Sequence, residues 1–524
     1  MKTITNTKFK IIGVFVLFFL TFSSCDEEVL ELSNPEQFTL ETYFKTPDQI
    51  VQGTNAAYAA FFQHWIGSYQ WPEIWDVLGN ETEATAGALG SYHEVPIIQM
   101  RAYQHNQFNR TVENLWRMYY MMILRSNLVI DSADAYLAEN DSNDLVVRSR
   151  GEAYFLRGWA YFNLANLWGD VPLRLSFDQS ENIDAPLSSA SEVWAVAESD
   201  LKIAQSLLKD VEDIPDTELG RATKGSATGL LGKLYLYNDR IPEAKTELAK
   251  LEGHYDLLSA EDYLYNFGEV NENNIESVFE FQCAYAGQGG TTAMFSNVEG
   301  GAAPFLNNMM QQLHSWNGWP NWKFQPEKTE VFIYDDESGT EFIDPRGAET
   351  FYGGVAGDDD WCDYCAEDPN RPYDFEGLQY FWKKKNNRET RPDETGPGAG
   401  GAASGNNVRI MRYADVLLMR AEIELMQNNV PGCIDYINLV RRRFGMFEYT
   451  PGNYSESEAF ELLKQERELE LMGEGARFTD LKRWGILEET LNPEFQAKYG
   501  TQPVNASHYF FPIPQGELDT NFGL

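Results

Sequence analysis

The sequence predicts a mainly α-helical protein interrupted by one long irregular region. Two observations carry that prediction. Apolar residues recur at three- and four-residue spacing through most of the 524 residues, the mark of helices that bury at least one face. That periodicity lapses between about 281 and 406, where runs such as AGQGG, YGGVAGDDD and GPGAGGAASG take over. A hydrophobic content of 43% with 23% charged residues suits a globular chain rather than a disordered one.

In chain order, the first segment is an address rather than a fold element. Residues 1–10 carry Lys2, Lys8 and Lys10 and no acid, and Ile11–Phe22 is an apolar run of 12 residues. A membrane-spanning helix needs about 20, so the pattern predicts a signal peptide over 1–24. Ser23–Ser24–Cys25 resembles a bacterial lipobox, in which the cysteine is acylated and becomes the new N-terminus, although Phe22 stands where a small aliphatic residue is usual. Cys25 is therefore the expected lipid anchor. The alternative is an ordinary signal peptide with an incidental cysteine. Asp26, Glu27 and Glu28 resemble the acidic tag that sends some Gram-negative lipoproteins to the outer surface.

Helices follow. Residues 47–64 open with Pro47 after Thr46, a favoured helix start. The stretches 110–138 and 144–168 are periodic. In the second, Phe155, Trp159 and Phe162 share one face while Leu156, Ala160, Leu164 and Leu167 share another, which predicts a helix buried in a bundle. Gly169–Asp170 should stop it, with Pro172 preventing its return. Residues 189–209 and 222–251 continue the pattern. In LLGKLYLYNDRIPEAKTEL (230–248), Leu231, Gly232 and Tyr235 followed by Ala244 and Leu248 resemble a tetratricopeptide helix pair. A weaker copy spans 417–437, with Ala421, Cys433 and Ile437. Two distant copies predict scattered helix pairs within one body rather than a solenoid. Helices resume at 408–427, 431–443, 456–472 and 475–487, and the Pro-rich tail 508–518 reads as extended.

Charge limits the partners. The net charge of −39 deepens to −42 once Lys2, Lys8 and Lys10 leave with residues 1–24. Such a body repels phosphate backbones, which excludes nucleic acid, and it repels anionic lipid, so an acyl anchor would have to supply membrane attachment. It also favours a neutral ligand over a polyanion.

Two sequence features invite metal or redox readings. WCDYC (361–365) has CxxC spacing but no second CxxC or paired His to complete a zinc site, so Cys362 and Cys365 are read as a local disulfide or two free thiols. The acidic run GDDDWCDYCAED (357–368) offers the oxygens that Ca²⁺ prefers. Its spacing matches no EF-hand loop, and a solvated acidic loop without cofactor is expected.

Five stretches are more specific: RGEAYFLRGWAYFNLANLWGDVPL (150–173), RYADVLLMRAEIEL (412–425), INLVRRR (437–443), ERELELMGEGARFTDLKRWG (466–485) and FFPIPQGEL (510–518). Together, in order and spacing, they resemble the SusD/RagB family of outer-membrane nutrient-binding lipoproteins. The resemblance implies a SusD-like helical fold with tetratricopeptide-like pairs and a loop-rich ligand-binding region. It implies a signal peptide at 1–24, an N-terminal helical part at 25–250, and a C-terminal part at 251–524. That last part includes the loop-rich region and the helices of 408–487. It further implies a non-catalytic surface protein that captures an oligosaccharide, or in some members a peptide or glycopeptide, as a lid over a SusC-like TonB-dependent transporter. Arg467, Glu474, Arg477, Asp480 and Arg483 are expected to be paired charges that fix helix packing rather than acid–base groups.

The ligand residues do not carry over by motif, because binding loops vary within the family. Chemistry alone selects them. A sugar needs exposed aromatic planes beside amide or charged groups. The stretch 64–94 offers Trp65, Trp71, Trp75, Asn80 and Tyr92, and the stretch 313–324 offers Trp316, Trp319 and Trp322 among Asn and turn formers. Tyr285 is a third candidate. The competing reading for each tryptophan is packing beneath a loop. A glycosidase reading has only the abundance of carboxylates behind it, with no nucleophile motif.

Overall fold

The computed structural model describes residues 43–65, 71–92, 94–178, 184–283, 314, 321–354, 379–385 and 404–524. Met1–Gln49 and Ile50–Leu524 separate as two units, and apart from residues 47–49 of the first helix the architecture that follows is that of the second. Helix α1 (Pro47–Tyr58) starts at the expected proline and gives way to a 3₁₀ turn, Ala59–Trp65. Then come α2 (Trp71–Leu78), the short strand β1 (Thr82–Ala84) and α3 (Val95–Arg101).

The N-terminal bundle is built on α4 (Arg110–Glu139) and α5 (Asp144–Trp168). Each starts at an asparagine whose side chain accepts from two backbone amides: Asn109 from Thr111 and Val112, and Asn143 from Leu145 and Val146. These caps satisfy donors that a helix start leaves orphaned. Both expected faces of α5 are buried, and Gly169 ends it at φ 76°. The chain then forms β2 (Val171–Pro172), paired with β3 (Leu187–Ser188), before α6 (Ala190–Leu207). Buried Arg157 of α5 holds Asp200 of α6 through Nε and Nη2 (2.7 and 2.8 Å) and donates from Nη1 to Asn127 of α4 (2.8 Å). One guanidinium thus registers three helices, a task its fixed fork suits better than a lysine would.

The tetratricopeptide-like pair is present as α7 (Lys224–Tyr237) and α8 (Ile241–Ala249). A Cβ built on Gly232 would lie 2.4 Å from Leu248 Cδ2, so the glycine sets the interhelix distance. The second copy is α10–α11, described below. The region between 281 and 406 is not purely loop. Its described residues carry β5 (Trp322–Phe324), a hairpin of β6 (Ile333–Asp335) and β7 (Glu341–Ile343), α9 (Arg346–Thr350), and β8 (Phe351–Gly354) paired with β9 (Gln379–Trp382). Phe324, Phe332, Phe351 and Trp382 from these elements pack with Leu469 and Met472 into a small apolar core. The acidic run 357–368, with Cys362 and Cys365, lies outside the described residues. Among the described residues Cys283 and Cys433 are free thiols, and no group of three acids, histidines or cysteines is placed to hold a metal.

The expected helix at 408–427 begins instead as a strand. Ser277–Phe281 (β4) pairs antiparallel with Val408–Arg412 (β10), and α10 (Tyr413–Met426) starts only after Arg412. Tertiary pairing with the apolar β4 overrides the local helical period there. Helices α11 (Val430–Arg442), α12 (Glu456–Leu471) and α13 (Ala476–Arg483) match expectation to within a few residues, except that Trp484 and Gly485 end α13 early. A further helix, α14 (Leu487–Tyr499), lies beyond the helices expected from the sequence and carries Pro493 inside it. The tail is not extended throughout: Ala506–Tyr509 is a 3₁₀ turn and Gln515–Thr520 forms α15.

The tail straps the N-terminal bundle. Phe511 N donates to Leu167 O (2.7 Å), Trp168 Nε1 to Pro512 O (2.9 Å), Trp116 Nε1 to Glu517 (3.2 Å) and Arg174 Nη2 to Glu517 (2.5 Å). The motif charges are paired, as expected. Arg467 meets Asp480 (2.7 Å) and Asp415 (2.9 Å), Arg477 meets Glu494 (2.7 Å) and Glu468 (3.0 Å), Arg483 meets Asp480 (2.8 Å), and Glu474 meets Arg412 (2.7 Å). Beside them Glu470 lies between Arg443 (2.9 Å), Arg412 (3.2 Å) and Arg346 (3.4 Å), all four side chains nearly free of solvent.

Candidate ligand-binding site

The two Trp-rich stretches, distant in sequence, are joined in the fold. Strand β1 pairs antiparallel with β5, Thr82 opposite Phe324 and Ala84 opposite Trp322. Thr85 N donates to Asn321 O (2.9 Å). Asn321 Nδ2 and Trp322 Nε1 each donate to the Glu94 carboxylate at 2.8 Å. At the other side of the 315–320 segment, His314 Nε2 lies 3.5 Å from Glu73 Oε1 of α2. Asn321 and Trp322, on one side of that segment, are therefore fixed to β1 and Glu94, in the same stretch that the sequence singled out on independent grounds.

Beneath this junction lies a buried polar cluster. Glu73, Asp76, Glu94 and His314 expose no surface, and Asp76 pairs with the buried Lys385 ammonium. Burial pushes the Glu73 carboxyl well above the usual range, and the neighbouring Glu94 adds to this while Lys385 opposes it. Burial holds the His314 imidazole down to about 3, so it is neutral at physiological pH. Burial likewise pulls Lys385 down to about 7 against the charge of Glu73. Trp382 Nε1 donates to Thr82 Oγ1 (2.8 Å), which ties β9 to the same base. These groups are legible in part: Glu73 and Asp76 are the two acids on an otherwise apolar eight-residue helix, WPEIWDVL, which predicts partners inside the fold.

The expected ligand residues divide. Trp75 (6% exposed), Asn80 (1%) and Trp322 (0%) are core residues and not open planes. Trp71 is half-buried, edge-on to Phe61 and Trp75 (centroids 5.4 and 5.1 Å), and lines a cavity of only about 110 Å³. Small-molecule pockets run from about 300 Å³ upward, so these four belong to packing. Asn80, at φ 58°, donates from Nδ2 to Glu494 (2.8 Å); short polar side chains tolerate that left-handed backbone. Tyr92 is 74% exposed, with the Arg110 guanidinium 5.9 Å from its ring centre, and is the open aromatic face among the described candidates. The Trp65 side chain, Tyr285, Trp316, Trp319 and Cys25 lie outside the described residues.

The carboxylates of this cluster cannot work on a substrate. Glycoside hydrolysis needs two carboxyl groups flanking an accessible bond, whereas Glu73 and Glu94 are sealed inside.

Comparison with known proteins agrees with this architecture. A sequence family described as "Starch-binding associating with outer membrane" matches residues 47–236, and the "SusD family" matches residues 366–524. SusD-like protein P2 of Formosa agariphila is 24% identical over 539 residues, covering 99% of this chain and 98% of its own. SusD-like protein P25 of the same organism is also 24% identical, with coverages of 98% and 97%. Among solved structures, a SusD superfamily protein from Bacteroides vulgatus superposes with a TM-score of 0.73 at 27% identity, over 92% of this chain and 98% of that one. Surface glycan-binding protein A from Bacteroides thetaiotaomicron, solved with laminarihexaose, gives 0.70 at 22% identity, over 91% and 98%, a likeness of fold.

Proposed function

The chain belongs to the SusD/RagB family of carbohydrate-binding, non-catalytic proteins associated with the outer membrane, and on that premise we propose that it captures a neutral oligosaccharide on the loops that spring from the β1–β5 junction. The carrying observation is the fixing of Asn321 and Trp322 to Glu94. It holds the described residues beside the 315–320 segment in place, and preorganisation lowers the cost of binding. Tyr92 supplies a further open ring. Several stacks of about 0.5–1.5 kcal/mol each, by analogy with aromatic pairs, suit capture followed by release. The excess of acids favours an uncharged glycan.

In this proposal Cys25 carries the lipid that holds the protein on the outer membrane, and the protein delivers its glycan as a lid over a SusC-like TonB-dependent transporter. Among the described residues no helix is long and apolar enough to cross a membrane. The test is titration calorimetry of the mature protein with neutral glycans, laminarihexaose among them, and with polyuronates. A saturable heat with a neutral glycan, lost in the Trp316→Ala/Trp319→Ala variant, supports the proposal. Equal heat in wild type and variant removes the loop from the site. Binding of peptides alone would replace the glycan by a peptide nutrient.

A further inference from the structure

The C-terminal tail meets the turn between α3 and α4 through two histidines. His508 lies in the 3₁₀ turn Ala506–Tyr509, and His105 lies in the turn that leads into α4. Their ring centres are 5.8 Å apart. Tyr103 meets His508 edge to face (5.3 Å), His105 meets Phe511 in the same way (5.4 Å), and Phe511 packs in turn on Trp168 (5.3 Å). Further along, Gln515 N donates to Gln107 O (2.9 Å), so tail and turn stay together beyond the rings.

The local hydrogen bonds fix the protonation state of one ring. Asn505 caps the 3₁₀ turn, its Oδ1 accepting from Ser507 N (3.0 Å), and Asn505 N donates back to His508 Nδ1 (3.1 Å). This is a capping box. The returning side chain of such a box is ordinarily a Glu or Gln, whose oxygen accepts. A histidine accepts only at a nitrogen that carries no proton. Protonation of Nδ1 would set one N–H against another and break the box. In His105, Nδ1 is enclosed and has no hydrogen bond, so a proton placed there would find no acceptor.

Few charges face the pair. Tyr103 touches both rings; its hydroxyl donates to Leu78 O, and burial keeps the phenol protonated. Glu488 of α14 favours a charged His508. Beyond Tyr103, Arg477 of α13 and Glu494 of α14 are paired with each other (2.7 Å). Burial lowers the pKa of His508, against the Tyr103 backbone and Glu488. Burial, with His508 adding to it, holds His105 down to about 4. Both imidazoles are thus neutral in the closed tail, and in an open one they would take up protons below about pH 6.5.

We propose that His105 and His508 form an acid-sensitive clasp: neutral, they hold the tail on the turn before α4, and protonated, they release it and uncover Trp168 at the end of α5. The release is local and leaves the C-terminal helices folded.

The test follows backbone amide exchange in the mature protein at pH 7 and pH 5, corrected for the intrinsic pH dependence of exchange. Phe511 N and Gln515 N report on the tail, since they donate to Leu167 O and Gln107 O. The amides of α12 report on the core, where Glu470, Glu468 and Asp415 are held low by cations and stay ionised at pH 5. Freeing His105 from its depressed pKa shifts the opening equilibrium about tenfold or more over that interval. Tail protection should therefore fall by about that factor while α12 holds. His508→Gln keeps an acceptor for Asn505 N without the titration, and His105→Phe keeps a ring without it. Each should reduce the fall, and the double variant should abolish it. Equal tail protection at both pH values overturns the proposal. So does an equal fall in α12, or the wild-type fall persisting in the double variant or in both single variants.

Discussion

The Trp322 indole donates to Glu94 at 2.8 Å, and neither side chain reaches solvent. The bond turns a tryptophan that looked like a ligand platform into an anchor for the segment beside it. Trp322→Phe keeps most of the buried ring but removes the donor from an interior carboxylate. The expected loss is about 1–3 kcal/mol of unfolding free energy, with weaker glycan binding because the loop base loosens. Urea denaturation followed by calorimetry checks both. A variant as stable as wild type would show the bond to be incidental.

Glu470 contributes to the acid limb of stability, together with Glu468 and Asp415, which cationic partners also hold down. Burial alone would raise its pKa, but Arg443, Arg412 and Arg346 carry it down to about 2. A depressed carboxylate stabilises the fold above its ordinary pKa, and that stabilisation is lost as pH falls from about 4.5 toward 2. Stability measured by urea titration should therefore decline across that window. Glu470→Gln should be about 3–5 kcal/mol less stable at pH 7, since it leaves three buried arginines short of a partner, and its acid decline should be shallower.

Glu73 works with the opposite sign. Its raised pKa means that the folded state holds a proton which the unfolded state has released, so stability falls as pH rises above the ordinary carboxylate range. Glu73→Gln removes that titration. Between pH 5 and 8 the wild type should lose stability relative to the variant, read as a narrowing difference in thermal melting temperature if the variant starts lower. Parallel curves would show that Glu73 is ionised throughout.

Tyr92 is exposed and should matter to ligand alone. Tyr92→Ala should leave the melting temperature within a degree or so, since surface substitutions stay within about 0.5 kcal/mol. It should weaken glycan binding by about two- to tenfold, one stacked ring's worth. An unchanged dissociation constant would take Tyr92 out of the site.

The helices were legible because burial imposes period. The two apolar faces of 144–168, the stop at Gly169 and the close approach at Gly232 were all written locally. Strand β10 was not, since Val408–Arg412 becomes extended only by pairing with β4, over a hundred residues away. Helix α14 accommodates Pro493 in its interior, where a proline disfavours a helix by local propensity. At the candidate site, residue type singled out two stretches that the fold joins, but not which rings stay open. Trp75, Trp322 and Tyr92 look alike in sequence, and their exposure is decided by partners such as Glu94, which only the fold brings close.

The strap formed by residues 511–517 has a kinetic consequence. Leu167, Trp168, Trp116 and Arg174 are met by Phe511, Pro512 and Glu517, partners 343 to 401 residues further along the chain. Contacts of such sequence separation form late, because loop closure precedes any reward. The N-terminal helices can gather as the chain emerges, but their outer edge stays unsealed until residues 511–517 arrive. Until then Trp116 and Trp168 lack the acceptors that the strap brings them, so truncation before 511 should leave that edge of the bundle open.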